Sequence, residues 1–295
     1  MFFICNQTRE HLYLDGVSLE PNEVKRVFSL NDAMARCVDI GLVSYGPAYD
    51  LMTPEQIFQR FPIGSWYNFD LATLWELSNE TTPALDGAPV GAWSDKYGDA
   101  YPMSQGSTPN KPLVDVAERA VRFVGNTLQG QELSYSGGTI ATLDKDITVM
   151  AVVKAPVIST LNDRQMLTVA NFTSNDDYVT LRPRWTGNNV RLQTYNYYSP
   201  RPGLAASAAS APEDSFMVIS GTRKANGDMI NLALNGEVVA AGPLASGPPV
   251  TAANMIAIFS SQLDGADMLV RDMIWFAGNP PIEVIKGYAL YGATL

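Results

Sequence analysis

Apolar and polar positions along most of the chain alternate in short runs that predict β-strands rather than helices. From Leu71 onwards the β-prone runs are separated by glycine, asparagine, aspartate and proline, without a long segment of helical period. This pattern predicts an all-β fold, an antiparallel β-sandwich of the jelly-roll type, preceded by a small β-rich domain. The predicted strands of the sandwich are 73–77, 120–124, 147–154, 165–170, 178–182, 190–195, 216–223, 230–234, 255–259 and 268–276.

Turn and loop signals divide these runs. Asn235-Gly236 stands between two short apolar runs, and this dipeptide favours a tight hairpin turn. Residues 282–288 predict the one helix of the sandwich region. Residues 86–114 and 199–215 are rich in glycine, proline, serine or alanine and are predicted to be loops.

The N-terminal part has the same β character on a smaller scale. Asn31 is a predicted N-cap, and Thr53-Pro54 is a favourable start for a second helix that ends near Phe61. The sequence thus predicts a small docking domain over 1–61, a linker over 62–70 and the sandwich over 71–295. The predicted strands of the docking domain are 2–5, 12–14, 24–28 and 41–46.

Charge and hydropathy exclude two classes of partner. The 295-residue chain has a net charge of −10 and shows no cluster of lysine and arginine, so nucleic-acid binding is not expected. Apolar runs fall far short of the roughly 20 residues that cross a bilayer, so membrane insertion is not expected. Residues 1–6 lack the basic flank and apolar length of a signal peptide, which predicts a soluble protein made in a cytoplasm.

The sequence offers no catalytic constellation. His11 is the single histidine and lies outside the sandwich, which excludes a serine–histidine–aspartate triad there. The Glu-x-Asp-x-(x)-Glu strand motif of retaining glycosidases is absent, so we predict a protein without enzymatic activity. Cys5 and Cys37 are expected to be buried thiols, with a disulfide as the alternative in an oxidising compartment.

Four segments resemble the concanavalin A-like lectin/glucanase fold in its laminin-G-like form. The resemblance implies a jelly roll over residues 71–295, and such folds commonly bind glycans or proteins. It is specific for the fold and says little about the ligand. The segments are Leu74-Trp75, Trp93-Ser94-Asp95, Val121–Gly125 and Ile285-Lys286-Gly287-Tyr288-Ala289-Leu290-Tyr291-Gly292.

The N-terminal part resembles the small β modules that begin some tailed-phage virion proteins, through Asn6-x-Thr8 and residues 16–23. This resemblance implies a structural virion protein, made in the host cytoplasm and displayed as a capsid decoration, head fibre or tail adhesin. The implied partners are other virion proteins, further copies of the chain (a trimer is expected) and a host surface glycan. The alternatives are a carbohydrate-binding lectin free of any particle, or a glycoside hydrolase.

Two groups of aspartate and asparagine are candidate calcium ligands, because calcium takes six to eight oxygen ligands and laminin-G-like sandwiches sometimes bind it at a loop rim. The alternative is a solvated turn rich in these residues. Calcium is the only cofactor the sequence suggests. The candidates are Asn175, Asp176 and Asp177, and Asp264 and Asp267.

An aromatic group with a neighbouring arginine is the candidate ligand or interface site. Alternation places Tyr195 and Tyr197 on one face of an extended segment, with Tyr198 on the other. Such side chains stack on sugar rings or anchor a subunit interface. The alternative is an ordinary set of core and cross-strand contacts. The group is completed by Trp185 and Arg184.

Overall fold

The computed structural model divides the chain into two compact units, Met1–Leu51 and Met52–Leu295. Among the described residues, no helix has the length and apolar character needed to span a membrane. The described residues are 2–21, 23–27, 29–47, 50–97, 101–124, 131–141, 146–155, 164–171, 177–183, 190–195, 204–206, 215–223, 229–241, 253–261 and 267–295.

The first unit is a three-stranded antiparallel sheet with a separate two-stranded hairpin and one helix. Ile4, Leu19 and Met34 are among the side chains of its small core. Asn31 caps the helix as predicted, because its Oδ1 accepts the amide N–H of Met34 at 2.8 Å. The elements are β1 (Phe2–Asn6), β2 (Leu12–Leu14), β3 (Val17–Leu19), β4 (Val24–Val27), α1 (Asp32–Asp39) and β5 (Val43–Pro47). The sheet has the order β4-β1-β5, and β2 and β3 form the hairpin.

Asn6 organises the loops of this unit. Its fully buried Nδ2 donates to the carbonyl oxygens of Glu10, Leu19 and Glu20 at 2.8, 3.1 and 3.1 Å. Its Oδ1 accepts the amide N–H of Thr8 at 2.9 Å. The Asn6-x-Thr8 motif therefore joins three backbone segments, and burial of its amide is balanced by hydrogen bonds.

The second unit contains two antiparallel sheets and two helices. Its elements in chain order are α2 (Pro54–Arg60), β6 (Gly64–Asn68), β7 (Leu74–Trp75), β8 (Ala92–Trp93), β9 (Met103–Ser104), β10 (Leu113–Asp115), β11 (Ala120–Phe123), β12 (Gln131–Ala141), β13 (Ile147–Lys154), β14 (Arg164–Asn171), β15 (Asp177–Arg182), β16 (Val190–Tyr195), β17 (Leu204–Ala206), β18 (Met217–Arg223), β19 (Met229–Leu234), β20 (Glu237–Ala241), β21 (Ala253–Ser261), β22 (Met268–Ala277) and α3 (Ile282–Gly292).

The two sheets form the predicted sandwich. The front sheet has the order β10-β11-β22-β13-β18-β19-β20, and β6 also pairs with β22. The back sheet has the order β17-β16-β15-β14-β21-β12-β9-β8-β7. Every strand pair within them is antiparallel, so the prediction of an all-β antiparallel sandwich is confirmed.

Both faces of β13, a central strand of the front sheet, are buried. Val149 and Ala151 of β13 point into the core between the sheets, while Met150 and Val152 point into a second core beneath α2 and α3. This arrangement explains why β13 is continuously apolar instead of alternating. Gly292 permits the close approach of α3, since a Cβ there would lie 2.6 Å from Val218 Cγ2.

The hairpin at Asn235-Gly236 is confirmed. Both residues have positive φ, 49° and 83°, as a type I′ turn requires. The helices predicted from Asn31, from Thr53 and over 282–288 are confirmed as well, the last extending to Gly292.

Three expectations differ from the structure. Residues 62–70, predicted to be a linker, contain β6, whose residues Gly64–Asn68 pair with β22 inside the sandwich. The boundary of the first unit accordingly falls after Leu51 and not after residue 61. The predicted loop 86–114 contains β8, β9 and β10, which are too short to give an alternating pattern.

Candidate functional site

A polar pocket lies at the edge of the front sheet, beside the hairpin that joins β10 to β11. Its volume is about 200 Å³ and it opens to solvent. We call it the rim pocket; it is lined by Asp86, Gly87, Leu113, Val114, Asp115, Ala117 and Arg122.

The buried carboxylate of Asp115 lies in this pocket and is held from two sides. Its side chain is 7% exposed. The Oδ1 atom accepts the amide N–H of Glu118 at 2.9 Å, and Oδ2 pairs with Nη2 of Arg122. β-Strand pairing fixes both residues, because Asp115 and Arg122 lie on the adjacent strands β10 and β11.

The charges in the rim pocket are fixed by these contacts. Burial raises the pKa of Asp115, but the amide of Glu118 and the guanidinium of Arg122 together outweigh burial and hold that pKa below its usual value. The hydrogen bond to Asp115 raises the pKa of Arg122. The pocket therefore presents an ionised carboxylate next to a guanidinium at neutral pH.

Arg122 reaches from this pair towards solvent. Its side chain is 41% exposed, and its Nη1 lies 3.8 Å from Oδ2 of Asp267. Asp86 is fixed on its own loop, where its Oδ1 accepts the amide N–H of Val116 at 2.9 Å. Two exposed apolar side chains, Leu85 and Val116, adjoin the lining residues in sequence.

This arrangement suits a ligand with neighbouring hydroxyl groups. A hydroxyl both donates and accepts, a carboxylate accepts only and a guanidinium donates only. A fixed carboxylate–guanidinium pair thus offers an acceptor and a donor side by side. The cavity is smaller than the roughly 300–1,000 Å³ of sites for drug-sized ligands, so it suits a small polar group.

The predicted aromatic site falls mostly outside the described residues. Trp185, Tyr197, Tyr198 and Arg184 lie outside them. Tyr195 ends β16, and its backbone pairs with that of Tyr178. The aromatic site stays a prediction.

The calcium candidates are divided in the same way. Asn175, Asp176 and Asp264 lie outside the described residues, and Asp177 is the first residue of β15. Asp267 is the ion partner of Arg122. Within the described part of the chain, no three histidine, cysteine or acidic side chains lie together as a metal site would require.

Sequence reasoning missed the rim pocket. Asp86 and Asp115 lie in or next to the segment predicted to be a loop, and 28 residues separate them in the chain. One signal was available. Arg122 stands between the apolar Val121 and Phe123 on a predicted strand, so its side chain faces away from the core that these two residues enter. Only the pairing of β10 with β11 places Asp115 beside it.

A second buried carboxylate, Asp272, lies beneath α3 and is closed to solvent. It is fully buried, with Oδ2 accepting Nε1–H of Trp66 at 2.7 Å and Oδ1 accepting the hydroxyl of Tyr288. Burial raises the pKa of Asp272 to about 7. Since it joins β22 to β6 and α3, its role in this structure is to hold the helix layer on the sheet.

Comparison with known proteins supports the fold. No protein-family model matches the chain, and no curated protein matches it by sequence. Among solved structures, the binding domain of botulinum neurotoxin DC in complex with rat synaptotagmin II matches with a TM-score of 0.54 and 11% identity. That match covers 75% of this chain and 51% of the neurotoxin chain.

Two other solved structures are similar. A structure of botulinum neurotoxin type C, whose cell entry depends on two ganglioside molecules, has a TM-score of 0.53 at 11% identity, covering 68% of this chain and 49% of its own. Trypanosoma rangeli sialidase in complex with sialic acid has a TM-score of 0.52 at 11% identity, covering 78% and 33%. The chain thus spans about half or less of these proteins, and the likeness is one of fold.

Proposed function

We propose that the sandwich is a carbohydrate-binding domain without catalytic activity and that the rim pocket is its sugar site. The observation that carries the proposal is the buried carboxylate of Asp115, paired with Arg122 inside a cavity of about 200 Å³ that opens to solvent. A neurotoxin of similar fold depends on two ganglioside molecules for cell entry, and a sialidase of similar fold is found in complex with sialic acid. Both ligands are carbohydrates or carry them, which supports the choice of ligand class.

The charge state of Asp115 argues for binding over hydrolysis. A glycosidase needs a general acid whose pKa is raised towards neutrality, and a second carboxylate about 5–9 Å away. Asp115 has the opposite shift, because Arg122 and the Glu118 amide stabilise its ionised form. An ionised, arginine-paired carboxylate is a good hydroxyl acceptor and a poor proton donor.

A glycan array probed with the full chain tests this proposal, followed by calorimetry on the best ligand. We expect Asp115→Asn to weaken that ligand at least tenfold, because a charge-assisted hydrogen bond contributes about 1.5–3 kcal/mol. Glu237→Gln is the matched control, since this carboxylate is 77% exposed and pairs with Lys286 away from the pocket lining.

The opposite results are equally clear. An array without any bound glycan would contradict the proposal, as would a ligand that Asp115→Asn binds unchanged. Release of reducing sugars from a polysaccharide would replace binding by hydrolysis as the function.

We propose further that the chain belongs to the surface of a tailed-phage particle, with the first unit as the attachment module and the sandwich displayed. The support is the resemblance of residues 16–23 to virion modules and the exposure of apolar side chains on the first unit. Tyr13 and Ile40 are 70% and 69% exposed there and offer apolar contact area to a partner. Virion proteins, further copies of this chain and a host glycan are the proposed partners.

Cryo-electron microscopy of purified particles tests this setting. Density for the first unit against a capsid or tail lattice would support it and would give the symmetry of the assembly. Recovery of the protein only in particle-free host fractions would contradict it and leave the glycan proposal standing.

A further inference from the structure

The rim pocket has a polar interior, but apolar side chains border it. Leu85 is 67% exposed and Val116 is 39% exposed. Leu85 precedes the lining residue Asp86 in the chain, and Val116 follows the lining residue Asp115. The amide N–H of Val116 donates to Oδ1 of Asp86 at 2.9 Å, and this hydrogen bond joins the two chain segments. A ligand that enters the pocket therefore meets apolar surface next to charged groups.

The carboxylate of Asp115 has room for one further hydrogen-bond donor. A carboxylate offers about four lone-pair positions. Three of them are taken, by the amide N–H groups of Glu118 and Ala117 and by the guanidinium of Arg122. The position that is left suits a single N–H or O–H group of a ligand.

Arg122 keeps hydrogen-bond donors for a ligand. Its Nη1 lies 3.8 Å from Oδ2 of Asp267, which is beyond hydrogen-bond distance. Among the described residues, Asp115 is the one hydrogen-bond acceptor of this guanidinium. Since a guanidinium carries five N–H donors, Arg122 can still donate to an oxygen of the ligand.

Acidic side chains outnumber basic ones at the pocket. The carboxylates belong to Asp86, Asp115 and Asp267, and the guanidinium belongs to Arg122. This excess of negative charge repels a carboxylate or sulfate group on a ligand. A neutral group that donates a hydrogen bond fits better, because a carboxylate accepts hydrogen bonds and cannot donate them.

We propose that the rim pocket recognises the acetamido group of a neutral 2-acetamido sugar. This inference rests on the proposed function and adds a substrate class to it. The amide N–H of the acetamido group donates to Asp115, and the hydroxyl on the adjacent ring carbon accepts from Arg122. The acetyl methyl group then packs on Leu85 and Val116. An acetamido group is small and polar, as a cavity of about 200 Å³ requires.

A sugar with a hydroxyl in place of the acetamido group satisfies less of this site. Its hydroxyl supplies a donor for Asp115, but Leu85 and Val116 stay exposed to water. Burial of one additional CH₂ or methyl group corresponds to about a fourfold gain in affinity. The acetyl methyl group is therefore the part of the ligand that the apolar border of the pocket distinguishes.

Calorimetry on the full chain with three methyl glycosides isolates the contribution of this methyl group. At carbon 2 the glycosides carry an acetamido group, a formamido group, which lacks the methyl, or a hydroxyl. We expect the acetamido glycoside to bind about fourfold more tightly than the formamido glycoside, and the hydroxyl glycoside to bind most weakly. The gluco and galacto series are both measured, and the series that binds more tightly decides.

Saturation-transfer NMR on the same acetamido glycoside tests the placement of the group. We expect the acetyl methyl protons to receive more saturation from the protein than the protons of carbon 6. The reverse order would overturn the placement of the methyl group against the apolar border.

Two conservative variants test the recognising residues. Leu85→Asn and Val116→Thr keep the approximate shape of each side chain and make it polar. Both positions are exposed, so the variants should fold, which melting curves verify. In each, the fourfold preference for acetamido over formamido should fall to about twofold or less, while the hydroxyl glycoside binds unchanged. Leu290→Asn is the matched control, because Leu290 is 45% exposed on α3 and does not line the pocket.

A methyl sialoside separates the two common sources of a sugar acetamido group. It carries the acetamido group together with a carboxylate. The negative charge of Asp86, Asp115 and Asp267 predicts that it binds more weakly than the neutral acetamido glycoside. Tighter binding of the sialoside would overturn the assignment to neutral sugars.

Failure of this inference and failure of the proposed function are distinguishable. Equal affinity for the acetamido and formamido glycosides would overturn the acetamido assignment, and sugar binding that Asp115→Asn weakens would leave the proposed function intact. Saturable binding of N-methylacetamide by a chain that binds no sugar would overturn the proposed function, and with it the assignment of the ligand as a sugar.

Discussion

Asp115 and Asp272, two of the buried carboxylates of the sandwich, have opposite electrostatics. Asp272, beneath α3, is surrounded by uncharged donors, the indole of Trp66 and the hydroxyl of Tyr288. Asp115, in the rim pocket, is paired with the guanidinium of Arg122. Burial raises the pKa of Asp272 to about 7, whereas the partners of Asp115 hold its pKa below the usual value.

Burial alone therefore does not identify a functional acid. Asp272 is enclosed by β22, β6 and α3 without a route for a ligand, so its perturbed pKa affects stability. Asp115 is nearly as buried, but its charged partner Arg122 extends into an open cavity. A ligand can therefore reach Asp115 and Arg122, but it cannot reach Asp272.

The largest expected effect is the dependence of stability on pH through Asp272. An unfolded aspartate ionises near pH 3.9, and the folded one only near 7. The contribution of Asp272 to stability is thus fully present below about pH 4 and is lost as pH rises to about 7. A shift of about three pKa units corresponds to a loss on the order of 4 kcal/mol across that window.

Denaturant unfolding of the native chain and Asp272→Asn at several pH values measures this loss. Every tryptophan lies in the second unit, so tryptophan fluorescence reports on the sandwich alone. We expect the difference in unfolding free energy between the two proteins to fall from pH 4 to pH 7. A constant difference would show that Asp272 ionises normally, and would end the contrast with Asp115.

A smaller effect is expected from Tyr288→Phe. At pH 8 the carboxylate of Asp272 is mostly ionised, and loss of one hydroxyl donor should lower the unfolding free energy by about 2 kcal/mol. The same denaturant titration measures it. Tyr97→Phe is the control, because the Tyr97 ring is 40% exposed and stacked on Phe58. Equal stability of native and Tyr288→Phe chains at pH 8 would mean that the hydroxyl contributes nothing.

The smallest expected effect on stability is that of Asp115→Asn. The amide retains an oxygen for the Glu118 N–H, and Arg122 is 41% exposed, so solvent screens the lost charge pair. We expect the variant to lose about 1 kcal/mol or less of unfolding free energy, measured by thermal or denaturant unfolding. The loss of sugar affinity described above should accompany it. Unfolding of this variant at room temperature would place Asp115 with Asp272 as a structural residue.

Local signals predicted much of the fold. The type I′ hairpin at Asn235-Gly236, the N-cap at Asn31 and the start of α2 at Thr53 depend on neighbouring residues only, and the structure confirms them. The short strands β8, β9 and β10 were missed because two or three residues cannot establish an alternation. β6 was missed as well, since its partner β22 lies about 200 residues away in the chain.

Alternation, turns and caps are local and recur along the chain, so they predicted a β-sandwich with a small preceding unit. Which polar side chains meet depends instead on how the strands pair in the folded chain. Asp115 meets Arg122 through the pairing of β10 with β11, and Trp66 meets Asp272 through the pairing of β6 with β22. Both contacts depend on pairing between separate strands, which no local pattern in the sequence specifies.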